Sequence, residues 1–311
     1  MRPHPMTGPQ PPMPICGGRG TVQAVPIGSD NVGWIVACGA TGEAALVDGP
    51  EAGPYLDALA ARGLRLSALW TTHTHGDHIG LHRDLARRGL LGGLDVMACR
   101  ERLHEVPGAT VGVDEGDTIK LGQLRARVWR LEGHLRGHLG FVVDGEGDSD
   151  EPGARGAIFC GDTMFGAGCG YLFDGPAEAM AASLARIASL PPATLLCCAH
   201  EYTWDNLRFA LWLDPEHKAV RARMVTSHAD LRAGKGTLPS TIEIEQATNP
   251  FIHLSPPNNM ILNDFRNEIG STDSPVRRFT ALRRLKDQKA YQRDVTDEVM
   301  AAVVTNSGNS D

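Results

Sequence analysis

The stretch T-T-H-T-H-G-D-H-I-G, residues 71–80, sets three imidazoles and one carboxylate into six positions directly behind the apolar run L-S-A-L-W. Imidazole and carboxylate are ligand types favoured by zinc and iron. Burying several such groups costs free energy that only ligation or hydrogen bonding offsets. An extended chain sends alternate side chains to the same side, so His73 and His75 can converge on one ion, with Asp77 and His78 on the turn that follows. A helix read from Ile79 to Arg88 would aim the partial positive charge and free backbone donors of its N-terminus at the same place. Two adjacent cation positions are the expectation.

Four ligand-type residues cannot close two coordination spheres, so other strand ends must contribute. His134 ends V-W-R-L-E-G-H, Asp162 ends A-I-F-C-G-D, and His200 ends T-L-L-C-C-A-H. A strand-terminal His or Asp is by itself more often a turn or capping residue. Three of them behind apolar strands would gather along one sheet edge with the first cluster.

The elements that must position these groups alternate strand-type and helix-type runs from Thr21 to about His200, an α/β rhythm. Nine short runs read as strands: G-W-I-V-A-C, A-A-L-V-D, L-S-A-L-W-T-T, D-V-M-A-C, D-T-I-K-L, A-R-V-W-R-L, G-F-V-V-D, A-I-F-C and T-L-L-C-C-A. That number requires two sheets. P-Y-L-D-A-L-A-A-R-G, ending on Gly63, and A-E-A-M-A-A-S-L-A-R-I-A-S-L, stopping before Pro191-Pro192, read as covering helices. After His200 strand signals vanish, and T-W-D-N-L-R-F-A-L-W-L and P-E-H-K-A-V-R-A-R-M-V-T-S-H-A-D-L-R are helical. The expected organisation is a loose tail over residues 1–20, a catalytic domain over 21–202, and a helical substrate-binding domain over 203–311 that ends in a loose tail. The acidic, Gly- and Pro-rich stretch 144–156 reads as an exposed hairpin loop; its carboxylate spacing does not match an EF-hand.

Composition bounds the function. With 311 residues, 42% hydrophobic and 22% charged, the chain is an ordinary globular protein of more than one average domain. No apolar run approaches the roughly 18–20 residues of a membrane span, so no membrane partner is expected. A net charge of −7 with dispersed Lys and Arg offers no footprint for nucleic acid. Seven cysteines without C-x-x-C fit a reducing compartment. With no secretory signal in the first twenty residues, the cytoplasm is the expected address. A monomer, or at most a dimer, acting on small molecules is expected.

Taken in order, T-H-T-H-G-D-H, G-H-L-R-G-H, F-C-G-D-T-M-F and C-A-H-E-Y-T resemble the metallo-β-lactamase fold. H-E-Y-T-W-D-N-L-R-F-A, G-A-G-C-G-Y-L-F-D-G-P, S-T-I-E-I-E-Q-A-T-N-P-F and the later R-R-L-K-D narrow the resemblance to glyoxalase II, the hydroxyacylglutathione hydrolases, over about residues 21–290. The resemblance implies an αββα sandwich followed by a smaller α-helical domain that helps bind glutathione. Carried over, the first metal takes His73, His75 and His134, the second takes Asp77, His78 and His200, and Asp162 bridges them. Zinc is the family's usual ion, with iron or manganese as substitutes.

Two divalent cations lower the pKa of a shared water from about 15.7 toward neutrality, supplying hydroxide as the nucleophile. No side-chain catalyst is then required, because a thiol of pKa about 8.5 is a tolerable leaving group. His138 and Asp48 are candidates to support the ligands from behind. The resemblance also implies glutathione contacts from Tyr202, Arg283 and Lys286, and places Tyr171 and Phe173 in the same pocket. Tyr171 stands where the family usually carries Lys or Arg, and Phe173 where some members carry Tyr, so weaker binding of the standard substrate is predicted. Thr74 and the E-G-H-L around His134 also depart from the family's pattern, without removing a ligand. Cys169 reads as packing in a tight turn rather than as a nucleophile.

The leading expectation is therefore a dinuclear metal-dependent thioesterase cleaving S-D-lactoylglutathione to D-lactate and glutathione, the last step of methylglyoxal detoxification. The alternatives are a persulfide dioxygenase-like enzyme with one iron on two histidines and an aspartate, a hydrolase of another thioester, and a noncatalytic metal-binding protein.

Overall fold

The alternating apolar runs pair into two sheets in the computed structural model, which describes residues 4–145, 154–252 and 274–307. The first sheet runs in chain order through β1 (Met13–Ile15), β2 (Gly20–Ile27), β3 (Asn31–Cys38), β4 (Glu43–Val47), β5 (Arg65–Trp70), β6 (Asp95–Cys99) and β7 (Val111–Val113). Neighbours are antiparallel from β1 to β4 and parallel from β4 to β7. Helices α1 (Gly53–Arg62) and α2 (Gly76–Arg87) make the first two parallel crossovers.

The second sheet contains β8 (Thr118–Leu121), β9 (Leu124–Arg130), β10 (Leu139–Val143) and β11 (Ala157–Gly161) as an antiparallel meander. A hairpin of β12 (Met164–Phe165) and β13 (Gly168–Cys169) follows. Helix α3 (Ala177–Ala188) then carries the chain to β14 (Leu195–Cys198), parallel to β11, and β15 (Ser240–Thr241) closes that edge.

Strand period decides the layers. Val32, Trp34 and Val36 of β3 face the second sheet, while Ile35 and Ala37 face α1 and α2. Trp34 and Trp70 from one sheet meet Phe159 and Phe141 from the other at ring separations of 5.4–6.4 Å. Each fully buried side chain of this size contributes about 1.5–3 kcal/mol. The outer face of the first sheet packs Leu46, Leu69 and Val96 against Tyr55, Leu81 and Leu85. This is the αββα sandwich expected of the resemblance.

Among the described residues the remaining helices are α4 (Thr203–Leu213), α5 (Lys218–Arg232), α6 (Ile242–Thr248), α7 (Pro275–Asp287), α8 (Ala290–Asp294) and α9 (Asp297–Ser307). Their core is continuous with the sandwich, since Leu207, Phe209 and Phe279 belong to the same buried cluster as Phe141 and Phe159. A buried polar joint fixes the junction. Glu245 accepts from Ala167 N at 2.8 Å, Arg223 Nη2 at 2.7 Å and Ser240 Oγ at 2.6 Å, while Asn249 Nδ2 donates to Gly168 O at 2.9 Å. The helical region thereby holds the β12–β13 hairpin.

Several expectations are corrected. The described part of the leader is docked: β1 pairs with β2, His4 Nε2 bonds Asn31 O at 3.0 Å, and Met6 and Ile15 are buried. All nine expected strands form, but β1, β2, β7, β12, β13 and β15 were not among them. Pro26 hides β2 from a pattern reading; β1 covers β2 only as far as Val22, so Pro26 lies where that side has no strand neighbour. Strand pairing does recur after His200, in β15. Helix α2 begins at Gly76 rather than Ile79, so Asp77 and His78 belong to its first turn. Residues 146–153 of the acidic stretch lie outside the described residues; at its base Arg127 holds Asp144 at 2.5 and 2.8 Å. Among the described residues, no helix is long and apolar enough to cross a membrane.

Candidate metal centre

Strand ends of both sheets meet at one edge of the sandwich. Beyond β5, Thr72 is fixed by Asp48, whose carboxylate accepts from Thr72 N at 2.9 Å and Thr72 Oγ1 at 2.6 Å. This sets His73 in place, with its Nδ1 3.1 Å from Thr72 Oγ1. His75 is the extended residue before α2, and Asp77 and His78 occupy the first turn. Gly161 at the end of β11 has φ +49°, and a Cβ there would lie 2.4 Å from Thr72 Oγ1 and 2.8 Å from His138 Nε2. Only glycine lets β11 deliver Asp162 this close.

The seven expected ligands come together in two groups. In the first, His75 Nδ1 lies 3.0 Å from His73 Nε2 and 3.1 Å from His134 Nε2, which in turn lies 3.5 Å from Asp162 Oδ2. In the second, Asp77 Oδ2 lies 3.3 Å from His200 Nε2 and 3.6 Å from His78 Nε2, and Asp162 Oδ1 lies 3.5 and 3.4 Å from the same two nitrogens. Asp162 divides its two oxygens between the groups. The candidate ligand atoms of His73, His75, His134 and Asp162 lie within 4.8 Å of one another, as do those of Asp77, His78 and His200, the span of one coordination sphere.

The donor set fits cations. His78 Nε2 and Asp162 Oδ1 are buried without a hydrogen-bond partner, and an unpaired buried polar atom is costly. Three imidazole nitrogens converging at about 3 Å also face lone pairs toward one point, which a cation in the middle relieves. Burial and then the neighbouring imidazoles push His73 well below the ordinary histidine range, and burial lowers His134 as well, so both present neutral rings. Burial opposes charge on His78 too, but Asp162 and Asp48 outweigh it and hold that ring protonated. His200 is raised to about 9 in the same way, against burial, by Asp162, Asp30 and Asp77. The second group is thus the more acidic environment, where protons stand in for a positive ion.

Outer partners orient the rings. His78 Nδ1 bonds Asp48 Oδ2 at 2.9 Å, and His134 Nδ1 bonds Tyr171 O at 2.9 Å. His138 Nε2 accepts from Asp162 N at 3.2 Å, and its ring stacks on His73 at 4.7 Å. Asp48 and His138 therefore back the ligands from behind. Two supports had no signal in the sequence reading. Asn31 Nδ2 donates to Asp77 Oδ2 at 3.0 Å, and Asp30 Oδ1 pairs with His200 Nδ1 at 3.5 Å while accepting from the Tyr202 hydroxyl. Both residues lie in or beside the β2–β3 turn, whose position depends on pairing 169 residues away, through the backbone bridge of Asn31 with His200.

A pocket of about 410 Å³ opens from the ligands and is bordered by all five expected substrate residues. Tyr202 stacks flat on His200 at 4.8 Å, and the exposed ring of Phe173 stands edge-on to His75 and His134. The two cations are less available than expected. Arg283 is buried, bonding Asp287 Oδ1 at 2.6 Å and Cys169 O at 3.0 Å, with Tyr171 4.8 Å from its guanidinium. Lys286 is buried against Asn206 Oδ1, and burial, then Arg283, pushes its ammonium down to about 7. Lys289, Tyr291 and Gln292 also border the pocket and were not anticipated. Cys169 is buried and its thiol is pushed up by burial, which argues against a nucleophile.

Residues 201–289 match the family described as hydroxyacylglutathione hydrolase C-terminus. The chain is 39% identical over 264 residues to the hydroxyacylglutathione hydrolase of Methylococcus capsulatus, covering 85% of this chain and 96% of that protein. The corresponding protein of Gloeobacter violaceus is 40% identical over 260 residues, covering 83% and 96%. The chain belongs to the hydroxyacylglutathione hydrolase family. Solved structures place this family member's fold. ETHE1 from Myxococcus xanthus superimposes with a TM-score of 0.52 at 20% identity, covering 81% of this chain and 94% of that one. The BLEG-1 B3 metallo-beta-lactamase gives 0.52 at 19%, covering 74% and 99%. The hydroxyacylglutathione hydrolase family member thus carries the metallo-β-lactamase fold, with a His/Asp cluster suited to a dinuclear centre at its edge.

Proposed function

We propose that this chain hydrolyses S-(2-hydroxyacyl)glutathione, with S-D-lactoylglutathione as the leading substrate, yielding D-lactate and glutathione and so disposing of methylglyoxal. The observation that carries the reading is the division of the Asp162 oxygens between two imidazole groups, beside a pocket able to take a peptide thioester. In this reading His73, His75 and His134 hold one divalent cation, Asp77, His78 and His200 hold another, and Asp162 serves both. Zinc is the leading ion on the strength of the imidazole and carboxylate donors, with iron or manganese as substitutes. Bound there, such ions supply Lewis acidity toward a carbonyl oxygen and toward water.

The protein's own residues do the rest. Asp48, Thr72, Asn31 and the Tyr171 carbonyl lock the ligands, so little reorganisation is needed during the reaction. Phe173 and Tyr202 give the pocket aromatic walls beside the candidate ligands. A thiolate leaves readily enough that no side chain need protonate it. Seven buried cysteines with no C-x-x-C spacing suit the reducing, cytoplasmic setting of this reading, where glutathione is abundant as the thiol.

The persulfide dioxygenase reading uses one iron on two imidazoles and a carboxylate, leaving the second group of ligands without a role. The names of the relatives also favour hydrolysis. Thiol release from S-D-lactoylglutathione by metal-analysed protein tests the proposal, with His134→Ala as control. Release faster than the variant's by more than about a hundredfold supports it. Equal rates, or oxygen uptake on glutathione persulfide, reject it.

A further inference from the structure

We infer that His4, in the leader ahead of β1, is a positioning residue for the second group of candidate ligands; this rests on the ligand assignment proposed above. Its Nδ1 accepts from Met6 N at 3.0 Å, so the ring proton sits on Nε2, which donates to Asn31 O at 3.0 Å. Burial disfavours the protonated ring and so suits this neutral form. With both nitrogens committed, the imidazole is a fixed bracket between the leader and the β2–β3 turn.

That turn reaches the second group twice. Asn31 Nδ2 donates to Asp77 Oδ2 at 3.0 Å, and Asp30 Oδ1 lies 3.5 Å from His200 Nδ1. Its backbone is tied to the chain just beyond β14, where Val32 N donates to Ala199 O at 2.7 Å and Glu201 N to Asp30 O at 2.9 Å. A hydrogen bond on the Asn31 carbonyl therefore bears on Asp77 and His200 together. The first group is oriented from elsewhere, His73 by Thr72 and His134 by the Tyr171 carbonyl.

The leader is anchored firmly enough to act on the turn. Met6 is buried, and the loop between α5 and β15 closes over it so tightly that a Cβ on Gly236 would lie 2.4 Å from Met6 Cγ and 3.0 Å from Glu201 Oε2. Thr7 N donates to Gly234 O, Gln10 N to Ala24 O and Gln23 Nε2 to Gln10 O, each at 2.9 Å. Pairing of β1 with β2 follows. An outer partner fixed in advance lowers the ordering cost of binding an ion, because less of the site must be immobilised at that moment.

The test is chelator competition on the zinc-loaded full chain, which reads two stepwise dissociation constants. Direct partners of metal ligands are worth about 10–100-fold in affinity, and His4 acts one bond further out. His4→Ala is expected to weaken one of the two constants about fivefold, and His4→Gln, whose amide can donate in place of Nε2, to recover most of that loss. In His200→Ala, which keeps only the first group intact, adding His4→Ala is expected to leave the remaining constant unchanged. Parental constants in His4→Ala, equal weakening of both, or a Gln variant as weak as the Ala variant overturns the inference. If the parent holds fewer than two ions, the ligand assignment fails instead, and amide hydrogen exchange decides for His4. Faster exchange at Val32 and Glu201 in His4→Ala then supports its hold on the turn, and parental exchange refutes it.

Discussion

Asn31 donates its side-chain amide to Asp77 Oδ2 at 3.0 Å, the same oxygen that lies 3.3 Å from His200 Nε2. A residue of the β2–β3 region thus aims a candidate ligand on α2 toward a candidate ligand after β14. Removing an outer partner of this kind typically costs 10–100-fold in metal affinity. Asn31→Ala is expected to shift metal content from two ions per chain toward one when the protein is equilibrated with a chelator. Two retained ions with parental affinity would show that Asn31 does not matter.

Asp162 faces both groups, so its loss should not resemble the loss of a ligand that faces one. Asp162→Ala is expected to empty both positions under chelator concentrations at which His200→Ala still holds one ion. Metal analysis after dialysis decides it.

Gly161 combines a left-handed backbone with no room for a side chain. An alanine there incurs the conformational penalty and pushes on Thr72 and His138, for a destabilisation of about 2–4 kcal/mol. Gly161→Ala should melt several degrees below the parent and bind metal more weakly, because Asp162 is displaced along with its neighbour. Parental melting would mean that the loop yields without strain.

Lys286 is pushed down to about 7 by burial and Arg283, against about 10.4 in an unfolded chain. Between these values the unfolded chain binds the extra proton, so this lysine's contribution to stability improves as pH rises through that window and is least favourable below it. Lys286→Met removes the dependence. Its melting temperature should exceed the parent's most at pH 7 and below, with the gap closing toward pH 10. A gap that is constant with pH would show that the ammonium is solvated in the fold.

The sequence by itself named the candidate ligands. His73, His75, Asp77, His78, His134, Asp162 and His200 were legible because each lies behind an apolar strand, where ligation asks for specific side-chain types. It also indicated two sheets, since nine apolar runs such as β3 and β5 are more than one sheet was expected to hold, while the sandwich arrangement came from the family resemblance. It did not reveal β2 behind Pro26, nor the docked leader, because both depend on what lies beside them. Tertiary structure alone decided how the Asp162 oxygens are divided, that Asp30 and Asn31 stand behind ligands far along the chain, and which cations remain free. Arg283 and Lys286 read as available charges until Asp287, Cys169 and Asn206 are seen to occupy them. A side chain's type is written locally, whereas its burial and partners are set by groups that folding brings from elsewhere, and those settle whether a charge can meet a substrate.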